Sequence, residues 1–178
     1  MPTTISPDGI FRGPYLLRLL VAYSTTFQAV VGAINSTSAA LKVYYPFADI
    51  DEDHLPSRAV VVDEQGSYRR HKNATGSWKS TGTLRLNFDF LIPHAVHVVS
   101  WENSSNYMMV KTGAIMKEME ALAGTGEPVS GMTHLNMQSY SRVDGPVQLD
   151  MGEMSLPDLD NGEFFQQLWN VEFELEFF

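Results

Sequence analysis

The sequence predicts an α+β fold, in which two main helices pack on one face of a mostly antiparallel sheet. Residues 84–90 alternate strictly between apolar and polar side chains, the pattern of a strand with one face on a core and one in solvent. Residues 15–34 carry apolar side chains at intervals of three to four, the spacing of an amphipathic helix. The order of helix, three strands, helix and further strands favours a single domain, 1–178, with its helices layered on the sheet.

The composition is that of an acidic globular protein. Of the 178 residues, 44% are hydrophobic and 19% are charged, which is enough apolar material for a core and too much for a disordered chain. The net charge of -9 argues against a general nucleic-acid-binding surface, because such a surface needs a basic patch. The lack of cysteine excludes disulfides, thiol nucleophiles and thiolate zinc sites, and it fits a reducing compartment.

Residues 1–12 are predicted to form an extended leader, followed by a first helix from about residue 13 to residue 34. Pro14 suits the first turn of that helix. The helix is long enough to span a membrane, but Arg18 and Gln28 lie inside it. We therefore predict an amphipathic helix with one side packed against a protein core. The first residues lack the Lys or Arg that precedes the apolar part of a secretion signal, so no such signal is predicted.

Five strands are expected, at residues 41–47, 57–64, 82–92, 134–140 and 168–178. In the closing strand, apolar residues alternate with glutamates, so one set faces the core and the other faces solvent. The residues predicted to face the core are Val171, Phe173, Leu175 and Phe177.

A second helix is predicted between the third and fourth strands. Residues 103–105 offer side chains that cap a helix N-terminus, and Gly124 offers a C-terminal stop. The segment 142–162 is rich in Pro, Gly and Asp and is expected to be irregular. The apolar stripe of the second helix consists of Met108, Thr112, Ile115, Met119 and Leu122.

A long basic arm is predicted at residues 65–81, which are too many and too polar for a tight hairpin turn. We expect it to protrude as a long hairpin and to contact a neighbouring subunit or partner. Three interpretations remain open: contact with an acidic protein surface, contact with nucleic acid, or a solvated loop. The first is favoured, because the second half of the chain is itself acidic. The arm residues expected at the interface are Tyr68, Arg69, Arg70, Lys72, Trp78 and Lys79.

An acidic ladder is predicted on the closing strand, at Glu172, Glu174 and Glu176. Like charges two residues apart repel each other, so this side of the strand is expected to be in solvent. Residues 101–178 contain three basic and 13 acidic side chains, whereas residues 1–100 contain nine and eight. The ladder is either a solvated face or the wall of a passage for DNA, where negative charge prevents sticking.

No motif for catalysis, metal binding or cofactor binding is complete in this sequence. His94 and His97 have a spacing found in metal sites, but Pro93 precedes them and no nearby carboxylate completes a set. The sequence therefore predicts no catalytic residue, no metal ligand and no cofactor.

A second incomplete metal motif lies in the loop after the first strand. Asp49, Asp51 and Asp53 resemble the start of a calcium loop, but His54 stands where that loop requires glycine. A solvated acidic loop is the favoured interpretation, and a loose divalent-cation site is the alternative.

The order of elements resembles that of phage tail terminator (tail-completion) proteins and of related minor tail proteins. The resemblance covers about residues 14–178 and is carried by the long arm, the strand TLRLNFDF and the closing strand VEFELEFF. It implies a structural, non-enzymatic virion protein of the tail or neck, assembled in the host cytoplasm. Such proteins form a hexameric ring that caps the tail tube and joins it to the head connector.

The resemblance also implies the partners: further copies of the chain in the ring, the tail-tube protein, and a head–tail connector or stopper protein. DNA would be passing cargo, and no membrane would be involved. The basic arm would reach a neighbour or the tube, and the acidic ladder would face the lumen. The alternatives are a tail-tube subunit, a head-completion (neck) protein, and a small soluble enzyme of unrecognised type.

Overall fold

The computed structural model describes residues 12–45, 57–62, 69–72, 74, 78–93, 101–125, 134–148 and 162–177. The helices in these ranges are α1 (Arg12–Tyr23), α2 (Thr25–Val30), α3 (Ser36–Ala40) and α4 (Trp101–Thr125). The strands are β1 (Val43–Tyr44), β2 (Arg58–Val62), β3 (Arg69–Lys72), β4 (Trp78–Pro93), β5 (His134–Gln148) and β6 (Gly162–Phe177). The predicted α+β class is confirmed.

The strands form one mixed sheet in the order β1-β2-β4-β6-β5, and β3 pairs with β4 alongside this path. Only the short β1–β2 pair is parallel among these strands; the others are antiparallel. The longest strand pair in the sheet is β4–β6, which stays in register along all 16 residues of both strands. Strands in globular proteins usually have five or six residues, so this pair is unusually long.

The two faces of the sheet differ as the sequence predicts for its middle strands. On the inner face, Leu84, Leu86 and Phe88 of β4 are buried beside Val171 and Phe173 of β6. The apolar side chains of α1 and α4 cover this face and complete the core. The helix residues buried there include Leu16, Leu17, Leu20, Val21, Met108, Ile115, Met116 and Met119.

The predicted first helix is wrong as a single element, because the chain leaves helical geometry at Ser24. Ser24 has φ -61° and ψ 121°, and its hydroxyl accepts a hydrogen bond from the Phe27 amide at 3.1 Å. It therefore ends α1 and caps α2. The segment after the predicted first helix also contains a helix, α3. Asn35 and Ser38 form a reciprocal capping box at its N-terminus.

Other boundaries also differ from the prediction. The segment 142–162 is not irregular throughout, because β5 continues to Gln148 and β6 begins at Gly162. The turn-forming residues at 143–146 lie at register shifts in the β5–β6 pairing. One of them, Gly145, adopts φ +83°. A side chain there would place Cβ 2.5 Å from the Gln166 carbonyl oxygen, so only glycine fits.

Some predictions are confirmed or lie beyond what the structure describes. The second helix is confirmed as α4, and its predicted stripe is buried except for the half-buried Leu122. β1 contains only two of the residues predicted for the first strand. The leader before Arg12 lies outside the described residues. In the described ranges, no helix combines the length and apolarity that a membrane crossing requires.

Candidate interaction surface

The described residues of the basic arm and two residues of the acidic ladder, Glu174 and Glu176, belong to one end of the sheet. We call this the four-stranded end: β3, with residues 78–81 of β4, 174–177 of β6 and 134–136 of β5. It contains four Lys or Arg residues and two glutamates. The described arm residues are thus sheet strands, and an arm that protrudes freely is not confirmed. Tyr68 lies outside the described residues.

Backbone register pairs a basic residue with an acidic one at the four-stranded end. Lys79 pairs with Glu176, with His71 next to Lys79 and His134 next to Glu176. Directly opposed residues in a sheet belong to the same face. The ladder and the arm therefore neighbour each other within one chain, which sequence reasoning did not predict.

The remaining arm residues fall into two sets by register. Arg69 pairs with Thr81, which in turn pairs with Glu174. Arg70 pairs with Ser80 and Lys72 with Trp78, at the alternate positions. Residues at alternate positions of a strand belong to opposite faces, so Arg70 and Lys72 are not in the rows that contain the glutamates.

The described part of the acidic ladder is held in place by β5. Glu172 is exposed and accepts a hydrogen bond from the Ser139 hydroxyl at 3.0 Å. Glu174 is half-buried and accepts one from the Gln138 amide at 2.7 Å.

A register shift between Met137 and Ser139 makes Gln138 the extra residue of a bulge, so two consecutive side chains of β5 reach the glutamates. Sequence reasoning missed Gln138 and Ser139. The signal was two adjacent polar residues in an otherwise alternating run.

The other end of the outer face contains a buried ionic cluster. Asp89, predicted to face solvent, is 1% exposed. Its carboxylate accepts hydrogen bonds from Arg58 Nε at 2.8 Å, Gln166 Nε2 at 2.9 Å and Asn87 Nδ2 at 3.1 Å. Burial is tolerated because these donors satisfy both carboxylate oxygens and one of them neutralises the charge. We interpret the cluster as structural.

A third carboxylate joins the helices. Glu118 of α4 accepts hydrogen bonds from the Ser24 hydroxyl at 2.7 Å and the Thr26 amide at 3.1 Å, at the N-terminus of α2. Burial raises the pKa of Glu118, but hydrogen bonds from Thr26, Ser24 and Thr25 outweigh it, and the pKa lies below its ordinary value. The contact stabilises the break between α1 and α2.

The boundary between α4 and β5 has contacts at two points. The Arg142 guanidinium donates to the Met109 sulfur at 3.1 Å, and the Tyr140 hydroxyl lies 3.5 Å from a carboxylate oxygen of Glu120. The Tyr140 ring also packs against Trp169, with 6.1 Å between ring centroids. Burial raises the pKa of Tyr140, and the Glu120 charge raises it further.

Neither metal motif considered in the sequence can be placed. His94, His97 and the aspartates at 49, 51 and 53 lie outside the described residues. Within the described ranges, no three His, Asp or Glu side chains are grouped to hold a metal ion.

A small cavity lies between α1 and the sheet. It is lined by apolar residues of both layers, including Leu16, Met137 and Phe173. Such a lining has no side-chain group with which to orient a polar substrate.

Comparison of the chain with models of known protein families and with curated proteins finds no match.

Proposed function

We propose that this protein is a phage tail terminator, a structural subunit whose ring caps the tail tube and joins it to the head connector. The proposal rests on the resemblance in element order. It is supported by an α+β fold with the helices on one face of the sheet. The main structural support for the proposal is the charged four-stranded end.

The four-stranded end suits contact with a protein surface because long, continuous strands form it. At about 3.3 Å per residue, a 16-residue strand spans about 50 Å. The longest described helix, α4, has 25 residues and spans about 37 Å at 1.5 Å per residue. No single described helix therefore matches the full length of β4 and β6, the two central strands of the sheet, which both extend into the four-stranded end.

Charge gives the four-stranded end a preferred partner. Complementary charge contributes specificity and association rate more than affinity. Residues 101–178 carry 13 acidic and only three basic side chains, so a second copy offers a negative surface to the basic strand β3. Contact between two different surfaces of identical subunits is head-to-tail, and such contacts close into a ring when the rotation permits.

Strand register divides the basic residues of the four-stranded end into two sets of rows. Arg69 and Lys79 share rows with Glu174 and Glu176 of their own chain, whereas Arg70 and Lys72 do not. Lys72 is exposed. In the proposal, β3, which contains Arg70 and Lys72, contacts the neighbouring subunit, and Glu172 on the outer face repels the phosphates of passing DNA.

The test is the size and shape of the assembly formed by the full chain, by mass photometry and negative-stain imaging, alone and with tail tubes. Closed rings, or single rings on tube ends, are the expected result. Open tubes would instead favour a tail-tube subunit, and binding to the head connector without a ring would favour a neck protein. Monomers that ignore both tubes and connectors would overturn all three.

A charge reversal makes this test specific to the four-stranded end. Arg70→Glu/Lys72→Glu is expected to reduce assembly strongly. The matched control, Lys111→Glu/Lys117→Glu, reverses the same number of charges on α4 and is expected to leave assembly unchanged. Equal loss in both variants would show that net charge, rather than β3, governs association.

A further inference from the structure

The side of α4 that faces β5 has an opening between two contacts. Met109 meets Arg142 at one point, and Glu120 meets Tyr140 at the other. At 100° per residue, positions 109, 113 and 120 fall on the same side of the helix. Gly113 therefore lies between the two contacts and faces β5 without a side chain.

The space over Gly113 is open. A Cβ atom built at this glycine would meet no other heavy atom within 4 Å, and its φ is not in the left-handed region. The backbone thus accepts any helix-forming residue there. Glycine lowers helix stability by up to about 1 kcal/mol relative to alanine, so nothing in the helix itself favours it. Its effect is to keep the floor of the opening clear.

Among the described strands, the one beside this opening, β5, is an edge of the sheet. It pairs only with β6 there, so no described strand occupies its other side, where an added strand would form its backbone hydrogen bonds. Residues 139–142 lie between two register shifts and keep regular pairing. Val143 is 45% exposed beside them, and Val110 of α4 is 68% exposed.

The two ends of the opening carry opposite charges. Glu120 is exposed near Tyr140, and Arg142 is exposed near Met109. An extended segment lying between α4 and β5 would therefore be complementary if it carried a basic residue near Glu120 and an acidic residue near Arg142.

We propose that the opening over Gly113 is a docking groove for an extended peptide segment of a partner protein, which lies along residues 139–142 and places one apolar side chain over Gly113. This is recognition by strand addition, with backbone hydrogen bonds to the edge and a side-chain pocket for specificity. The groove is separate from the four-stranded end, and the proposal does not depend on ring formation.

The experiment is selection of a yeast-displayed library of random ten-residue peptides on the full-length protein, with two variants as counter-screens. Gly113→Leu fills the opening. Ala121→Leu adds a larger side chain at an exposed position of α4 that lies on a different side of the helix from Gly113. Peptides with an apolar residue between an acidic and a basic one are expected. They should bind Ala121→Leu normally and bind Gly113→Leu at least about tenfold more weakly, which is about 1.4 kcal/mol.

Two results would overturn the proposal. One is a selection that yields no binder, or only binders indifferent to Gly113→Leu. The other is a lower unfolding temperature for Gly113→Leu, because leucine would then collide with a group that already fills the space. Arg142→Glu provides a second variant, which is expected to abolish binding of peptides that carry the acidic residue and to select peptides with a basic residue in its place.

Discussion

The two ends of the outer sheet face use carboxylates in opposite ways. At one end, Asp89 is buried, and an arginine and two amides bind both of its oxygens. At the other end, Glu172 is exposed and accepts a hydrogen bond from the Ser139 hydroxyl. Both residues belong to the same face of the same antiparallel pair. The difference indicates that the carboxylate at one end of this face is part of the packed structure, while the one at the other end lies at the surface.

On the core-facing side of the sheet, truncation of a buried side chain should destabilise the protein to a similar extent at both ends, because both ends are packed against the core. Phe88 is 0% and Phe173 is 4% exposed, beneath the Asp89 end and the glutamate end respectively. Phe88→Ala and Phe173→Ala are each expected to lower the free energy of unfolding by about 3–5 kcal/mol, measured by urea denaturation. A loss below about 1 kcal/mol at Phe173 alone would mean that the charged end is loosely packed on both faces.

Loss of the buried carboxylate is the next largest effect. Asp89→Leu leaves the Arg58 guanidinium without its partner, and we expect a loss of about 3 kcal/mol in urea denaturation. The double variant Arg58→Met/Asp89→Leu should lose less than the sum of the two single variants, since it removes both charges together. Additive losses would show that the pair does not act as a unit.

Glu118 is expected to contribute less to the free energy of unfolding than Asp89 and more than Glu172, and its contribution should depend on pH. Its pKa is lowered in the folded state, so its stabilisation is present above the ordinary pKa and is lost as pH falls through the lowered value. Glu118→Gln is expected to lower the free energy of unfolding by about 1–2 kcal/mol at pH 7. The difference from the unmodified protein should shrink as acid is added. A difference that stays constant down to pH 3 would contradict the assignment.

The smallest effect is expected at the exposed end. Glu172→Gln and Ser139→Ala should each change the free energy of unfolding by no more than about 0.5 kcal/mol. Glu172→Gln serves as the matched control for Asp89→Leu, since it removes a carboxylate from the same face. A loss of 2 kcal/mol or more would mean that Glu172 is as structural as Asp89, and the distinction between the two ends would fail.

The sequence predicted those features that depend on neighbours in the chain. The alternation at residues 84–90 identified β4, and the apolar stripe from Met108 to Met119 identified the buried side of α4. Both are periodicities of a single element, and a strand or helix must bury its apolar side somewhere.

Features that depend on distant residues could not be predicted. The break at Ser24 is stabilised by Glu118, 94 residues later. The burial of Asp89 depends on register with β2 and β6, and so does the meeting of Lys79 with Glu176. For the candidate surface, the sequence supplied the residue types and their charges. Their proximity follows from strand pairing, which local patterns do not determine.

The β4–β6 pairing also bears on how the chain reaches its native state. Trp78 pairs with Phe177 and Pro93 with Gly162, so the central ladder joins segments that are far apart in sequence. Folding slows as contacts become more distant along the chain, because loop closure must precede the stabilising contacts. The apolar side of β4, including Leu86 and Phe90, stays unpaired with β6 until that closure occurs. We expect slow refolding at the scale of milliseconds to seconds, and yields that fall as protein concentration rises.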